Sequence, residues 1–88
     1  MNGLYFLRDK AKREVDFLVT RNDEPWFLVE VKFSGKRGLN PNLEYFQDFL
    51  HAGHAFQVAF NMEYVDCDCF AESKPVRVPA KTFLSQLI

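Results

Sequence analysis

Glu14-Val15-Asp16-Phe17-Leu18-Val19-Thr20, followed after a short polar stretch by Trp26-Phe27-Leu28-Val29-Glu30-Val31-Lys32-Phe33, decides how this chain of 88 residues folds. Val15, Phe17 and Val19 alternate with Glu14, Asp16, Leu18 and Thr20, and Phe27, Val29, Val31 and Phe33 alternate with Trp26, Leu28, Glu30 and Lys32. Side chains of a strand point to opposite faces with a period of two, so both runs read as strands with one wholly apolar face. Between them, the five residues Arg21-Asn22-Asp23-Glu24-Pro25 are rich in turn formers and fit a hairpin loop. With Thr20 facing Trp26, the antiparallel register sets Leu18 opposite Leu28, Asp16 opposite Glu30, and Glu14 opposite Lys32, all on one side of the sheet.

Directly opposed side chains in such a pair have Cβ atoms ~5 Å apart, where like charges destabilise the sheet. A divalent cation would offset the repulsion between Asp16 and Glu30, because Mg²⁺ takes one or two carboxylates together with waters and substrate phosphate. Lys32 falls on the same face and could orient an attacking water or neutralise charge on a phosphate. The alternative is a solvated hairpin face, a common use of Glu, Asp and Lys. Leu18, Leu28 and Trp26 on that face argue that it is half buried.

The Asp-x13-Glu-x-Lys arrangement on a hairpin, followed by a helix, resembles the core of the PD-(D/E)XK nuclease superfamily, the restriction-endonuclease-like fold. Tyr5-Phe6-Leu7-Arg8-Asp9, Arg13-Glu14-Val15-Asp16-Phe17, Leu28-Val29-Glu30-Val31-Lys32, and Val78-Pro79-Ala80 with Phe83-Leu84 are similar in order to the nuclease-like domain of unknown function found C-terminal to AAA-type ATPase modules in prokaryotes. The resemblance implies Asp16 and Glu30 as ligands of Mg²⁺ or Mn²⁺, the Val31 carbonyl as a further ligand, Glu14 as an extra one, and Lys32 as the catalytic lysine. It implies divalent-metal-dependent hydrolysis of nucleic-acid phosphodiesters, on DNA more than RNA, with an ATPase module upstream in the parent protein. Members usually carry a helix before the first strand, and this chain begins almost at that strand, so the N-terminal helix is expected to be absent. Residues 1–88 then read as one nuclease-like domain of a larger protein. The chain has no G-x-x-x-x-G-K-[ST] loop of its own.

Composition fits one small core. Ten Phe, three Tyr and one Trp compensate for the short length, since each aromatic buries a large area. No apolar run reaches the ~20 residues of a membrane span and no signal-peptide pattern opens the chain, so a cytoplasmic protein without membrane contact is expected. The formal charge of −1 does not mark a nucleic-acid binder, but its distribution is uneven. Residues 1–37 carry eight basic and six acidic side chains, and residues 38–88 three basic and six acidic. Arg8, Lys10, Lys12 and Arg13 line the first turn, and Lys36 and Arg37 follow the motif, where they could contact phosphates; plain loop solubility is the other reading.

Leu4 to Leu7 reads as a first strand, which completes an antiparallel meander over 4–33. Ser34 to Pro41, with two Gly and a Pro, reads as a loop. A helix is predicted over 41–51 from Leu43, Phe46 and Leu50, widened by Tyr45 and Phe49 and ended before Gly53, with Gln47 able to approach the site. Strand 55–60 follows and lies parallel to a neighbour across the helical crossover. Residues 61–75 are ambiguous between an edge strand over 64–70 and irregular chain, 75–78 is a last extended piece, and Ala80, Phe83, Leu84, Leu87 and Ile88 predict an amphipathic helix over 80–88. The fold class is therefore α/β, with a mixed sheet of four to five strands.

Cys67, Cys69, His51 and His54 have gaps too short for a structural zinc site, so no zinc is expected and both thiols read as reduced. The histidines read as the C-terminal end of the helix. No serine or cysteine stands in a nucleophile turn. The rival to catalysis is an inactive DNA-binding or oligomerisation module of the same fold, a homodimer included, which would have no need to oppose two carboxylates.

Overall fold

The computed structural model describes residues 2–34, 36 and 38–87 of the chain. Five strands form one sheet in the order β1 (Gly3–Arg8), β2 (Glu14–Arg21), β3 (Glu24–Lys32), β4 (His54–Ala59) and β5 (Val76–Pro79). The first three make the antiparallel meander, while β4 runs parallel to β3 and β5 parallel to β4. A parallel neighbour requires a crossover, and helix α1 (Pro41–Leu50) supplies it. A 3₁₀ turn spans Cys69–Ala71, where an edge strand was one of two expectations, and α2 (Ala80–Ser85) closes the chain as a shorter helix than the sequence stripe predicts. Position 88 of that stripe lies outside the described residues. Among the described residues no helix is long and apolar enough to cross a membrane.

The hairpin keeps the expected pairing of Leu18 with Leu28 but differs at its tip. Asn22 and Asp23 both adopt left-handed backbone, at φ 55° and 64°, so two residues make the turn and Arg21 already pairs with Glu24. Turns with positive φ at both central residues match the twist of the strands, and Asn and Asp tolerate that region. A shift of register between Val19 and Thr20 then sets Thr20 opposite Pro25, not Trp26. A proline has no ladder donor and fits where pairing is irregular. Trp26 joins the opposite face from Leu28 and stacks on Phe70, with centroids 5.6 Å apart.

A second irregularity lies at the motif. Between the pairs Tyr5–Leu18 and Leu7–Val15, Phe6 alone on β1 faces both Asp16 and Phe17 on β2. Such a bulge reverses the alternation and re-aims side chains. Val15 consequently packs with Leu18 instead of sharing the face of Phe17 and Val19, which corrects the strict alternation read from the sequence.

Each sheet face has its own core. Val15, Leu18, Leu28 and Ala55 meet Leu43 and Phe46 of α1, so the face that carries the acidic motif is largely covered by helix. On the other face Phe27, Val29, Phe56 and Val58 pack with Cys69, Val78 and Phe83. Phe56 lies within 5.0 Å of the Phe70 centroid and 5.2 Å of that of Phe83. α1 starts at Asn40, whose Oδ1 accepts from the Asn42 amide at 3.0 Å, with Pro41 in the first turn, where its missing donor costs nothing. It ends at Leu50, one residue short of the expected span 41–51, with His51 as its C-cap in left-handed conformation. Tyr45 and Phe49 are surface residues that stack on each other, not extensions of the core.

Candidate functional site

Asp16 and Glu30 come together on the α1 side of the sheet, where β2 and β3 stop pairing. The described β2–β3 ladder runs only as far as Phe17 and Val29. Beyond it the Asp16 carboxylate takes over, with Oδ2 accepting the Val31 backbone N–H at 2.8 Å. The side chain thus fills a backbone partner's role and is held in one place by it. Glu30 is only 7% exposed, and its carboxyl lies within hydrogen-bonding reach of that of Asp16. Burial, and then the contact with Asp16, push the Glu30 carboxyl above its ordinary range, while a hydrogen bond from Asn40 and the charge of Lys32 pull the other way. Lys32 is partly buried on the same strand.

A polar chain behind Glu30 was not read from the sequence. Asn40 Nδ2 donates to Glu30 Oε2 at 2.6 Å, and the Asn40 backbone N–H donates to Gln57 Oε1 at 2.8 Å. Gln57 is 1% exposed, pairs with Glu30 in the β3–β4 ladder, and donates through Nε2 to the Gly38 carbonyl at 2.9 Å. Its signal in the sequence is a lone amide within the apolar run Ala55-Phe56-Gln57-Val58-Ala59, since a buried amide must find partners. Asn42 Nδ2 in turn holds the Glu14 carbonyl at 3.2 Å, tying the start of β2 to α1.

Other candidate residues have different surroundings. Glu14 makes a solvent-exposed ion pair with Arg8 at 3.2 Å and sits opposite it in the β1–β2 ladder, in place of the expected pairing with Lys32. Arg13 donates from its amide and Nε to Asp9 at 2.9 and 2.8 Å, and its guanidinium lies 3.8 Å from the Tyr45 ring centroid. Burial alone would raise the Asp9 carboxyl, but the hydrogen bonds and charge of Arg13 outweigh it and hold Asp9 below its ordinary value. Arg13 is therefore already engaged within the chain. Lys10, Lys12 and Lys36 are exposed, and position 37 lies outside the described residues. Gln47 is turned from the motif, donating to the carbonyls of Ala52 and Ser73, so its amide closes the far end of α1.

Among the described residues no group of three or more His, Cys, Asp and Glu side chains is placed to hold a metal ion. The Asp16–Glu30 pair is thus a two-carboxylate set, to which the Val31 carbonyl adds an oxygen in the same segment. Cys67 is exposed, and buried Cys69 has its thiol raised by burial and lies 3.1 Å from Gln86 Oε1. His51 caps α1, whereas His54 begins β4 and places Nδ1 2.7 Å from the Glu72 carbonyl. The family described as a domain of unknown function (DUF4143) matches residues 1–74, ending before Val78-Pro79-Ala80. No curated protein and no solved structure gives a significant match.

Proposed function

The chain belongs to this family of unknown function, and from that premise we propose that it is a restriction-endonuclease-like domain that hydrolyses nucleic-acid phosphodiesters with Mg²⁺ or Mn²⁺. The observation that carries the reading is the contact between the Asp16 and Glu30 carboxyls, one anchored by a backbone amide and the other buried. Like charges at contact repel, and a divalent cation between the two carboxyls offsets that repulsion. The donor set suits a hard cation that keeps several waters and takes oxygen ligands: Asp16, Glu30 and the Val31 carbonyl would hold it. When bound, the ion supplies Lewis-acid polarisation of phosphate and an acidified water. Lys32 faces charge building up on the phosphate, and Lys10, Lys12 and Lys36 are exposed cations for the backbone of the strand. In the parent protein we place this domain C-terminal to an AAA-type ATPase module, with DNA as substrate. The test is cleavage of single- and double-stranded DNA and RNA with either metal. Metal-dependent cleavage abolished by both Asp16→Asn and Lys32→Ala is expected, and cleavage that survives both places the chemistry elsewhere.

One observation favours assembly as a second reading. β1 is an edge strand, and an edge without Lys, Pro or a covering element is a template for another strand. Its single charge, Arg8 at the end, is paired with Glu14. On the face opposite α1, Leu4, Phe6, Phe17 and Val31 lead to Phe33, with Leu4, Phe6 and Phe33 65%, 71% and 78% exposed. α2 packs on β4 and β5 and leaves this part of the sheet open. The five side chains present roughly 500 Å² of apolar surface at ~200 Å² for each large residue. With the strand edge added, that approaches the ~800 Å² per partner of a stable complex, so a second copy paired along β1 fits it. Sedimentation equilibrium should then give twice the chain mass of 10.3 kDa, and Phe6→Lys should return the monomer with its circular dichroism unchanged. A monomer at every concentration, or a dimer indifferent to Phe6→Lys, excludes it.

A further inference from the structure

We infer that Asn40 is a positioning residue for the carboxylate pair, fixing Glu30 against the first turn of α1 so that the pair is set for a cation before one arrives. This rests on the metal-site reading above. Asn40 is bound on three sides: Oδ1 to the Asn42 amide at 3.0 Å, Nδ2 to Glu30 Oε2 at 2.6 Å, and its backbone N–H to Gln57 Oε1 at 2.8 Å. Gln57 also holds the Gly38 carbonyl, so one buried amide grips the chain on both sides of Leu39. The loop that leads into α1 is thereby locked to β4, the strand beside Glu30.

A glutamate side chain has three rotatable bonds, and ordering it on ligand binding has an entropic cost. Here one carboxylate oxygen is already taken by an amide donor, which leaves the other for a cation. An amide is suited to this because it donates without adding charge, whereas a lysine in its place would compete with the ion for the same carboxylate. Groups that orient metal ligands in this way typically change metal affinity 10- to 100-fold when removed.

Capping and positioning use different atoms of Asn40, so they can be separated. Asn40→Ser keeps a side-chain acceptor for the start of α1, since serine caps about as well as asparagine, but it has no amide to reach Glu30. Calorimetric titration of Mn²⁺ into the 88-residue chain reads the difference directly. The expected result is about tenfold weaker binding by Asn40→Ser, with helix content and melting temperature close to wild type, and with cleavage recovering at saturating Mn²⁺. A purely structural role would not be rescued by the ion. Where the serine chain does not fold, Asn40→Thr, a second capping side chain without an amide, takes its place. Wild-type Mn²⁺ affinity in the folded variant overturns the role of Asn40 alone; no Mn²⁺ binding by the wild-type chain overturns the metal site and the positioning role together.

Discussion

Glu30→Gln is expected to abolish metal-dependent cleavage while raising the melting temperature of the metal-free protein. The two effects have one cause. Glu30 is buried against Asp16, so ionising its carboxyl costs free energy through burial and through the neighbouring acid, and the uncharged amide avoids that cost. Opposed like charges in a sheet cost on the order of 0.5 kcal/mol, which in a domain of this size moves the melting temperature by about 2–4 °C. The glutamine can still accept from Asn40. It cannot supply the second negative charge, and loss of one of the two proposed metal ligands is expected to bring cleavage down to the background rate. The pH dependence follows from the raised Glu30 carboxyl. The folded chain keeps that proton to higher pH than the unfolded one. Its contribution to stability is therefore full below the ordinary carboxylate range and is lost as pH climbs through the raised folded value. Thermal melts of the two proteins in chelator from pH 4 to 8 should diverge in that direction, with the wild type falling more steeply. Equal slopes would remove the buried carboxyl as the cause.

The largest loss of stability is expected from Phe56→Ala, about 3–5 kcal/mol by denaturant unfolding. Phe56 has no exposed surface, and its ring meets those of Phe27, Phe70 and Phe83 in the core under α2. Removing it takes away the β4 ring against which the rings of the 3₁₀ turn and of α2 pack, at 5.0 and 5.2 Å between centroids. A domain of 88 residues is expected to have only ~5–10 kcal/mol in all, so the variant should be marginally folded at 37 °C. Phe49→Ala provides the contrast. Its ring is largely exposed on α1, and the change should cost below ~1 kcal/mol. Similar losses from both substitutions would mean that the two-core packing is wrong.

The hairpin was legible because its alternation spans two strands and because Leu18 and Leu28, once buried, fix the register. The same register brought Asp16 toward Glu30. What the alternation does not encode is an inserted residue. The bulge at Asp16 and Phe17 leaves the local sequence looking regular, yet it moves Val15 to the other face. The two-residue turn was hidden for a related reason: Glu24-Pro25 reads as loop, and only the irregular pairing at Thr20 lets the proline into the strand. Long-range partners were out of reach as well. Nothing near Arg13 announces a ring on α1 or identifies Asp9 as its acceptor, and the basic cluster therefore looked freer for phosphate than it is. Gln47 illustrates the limit of helix position alone, since its face was readable and the carbonyls it binds were not. Asn40 and Gln57 were not read from the sequence at all, and their junction at Glu30 exists only once β4 lies beside β3.

Thermal unfolding of the wild-type chain and of Glu30→Gln at neutral pH, with and without Mn²⁺, asks most directly whether Asp16 and Glu30 share a cation. An ion that binds only the folded state raises stability by about 2.7 kcal/mol at a hundredfold excess over its dissociation constant. The wild-type melting temperature should rise with Mn²⁺ and saturate, and that of Glu30→Gln, higher at the outset, should not move. A wild type indifferent to Mn²⁺, or two proteins stabilised alike, would contradict a metal site at this pair.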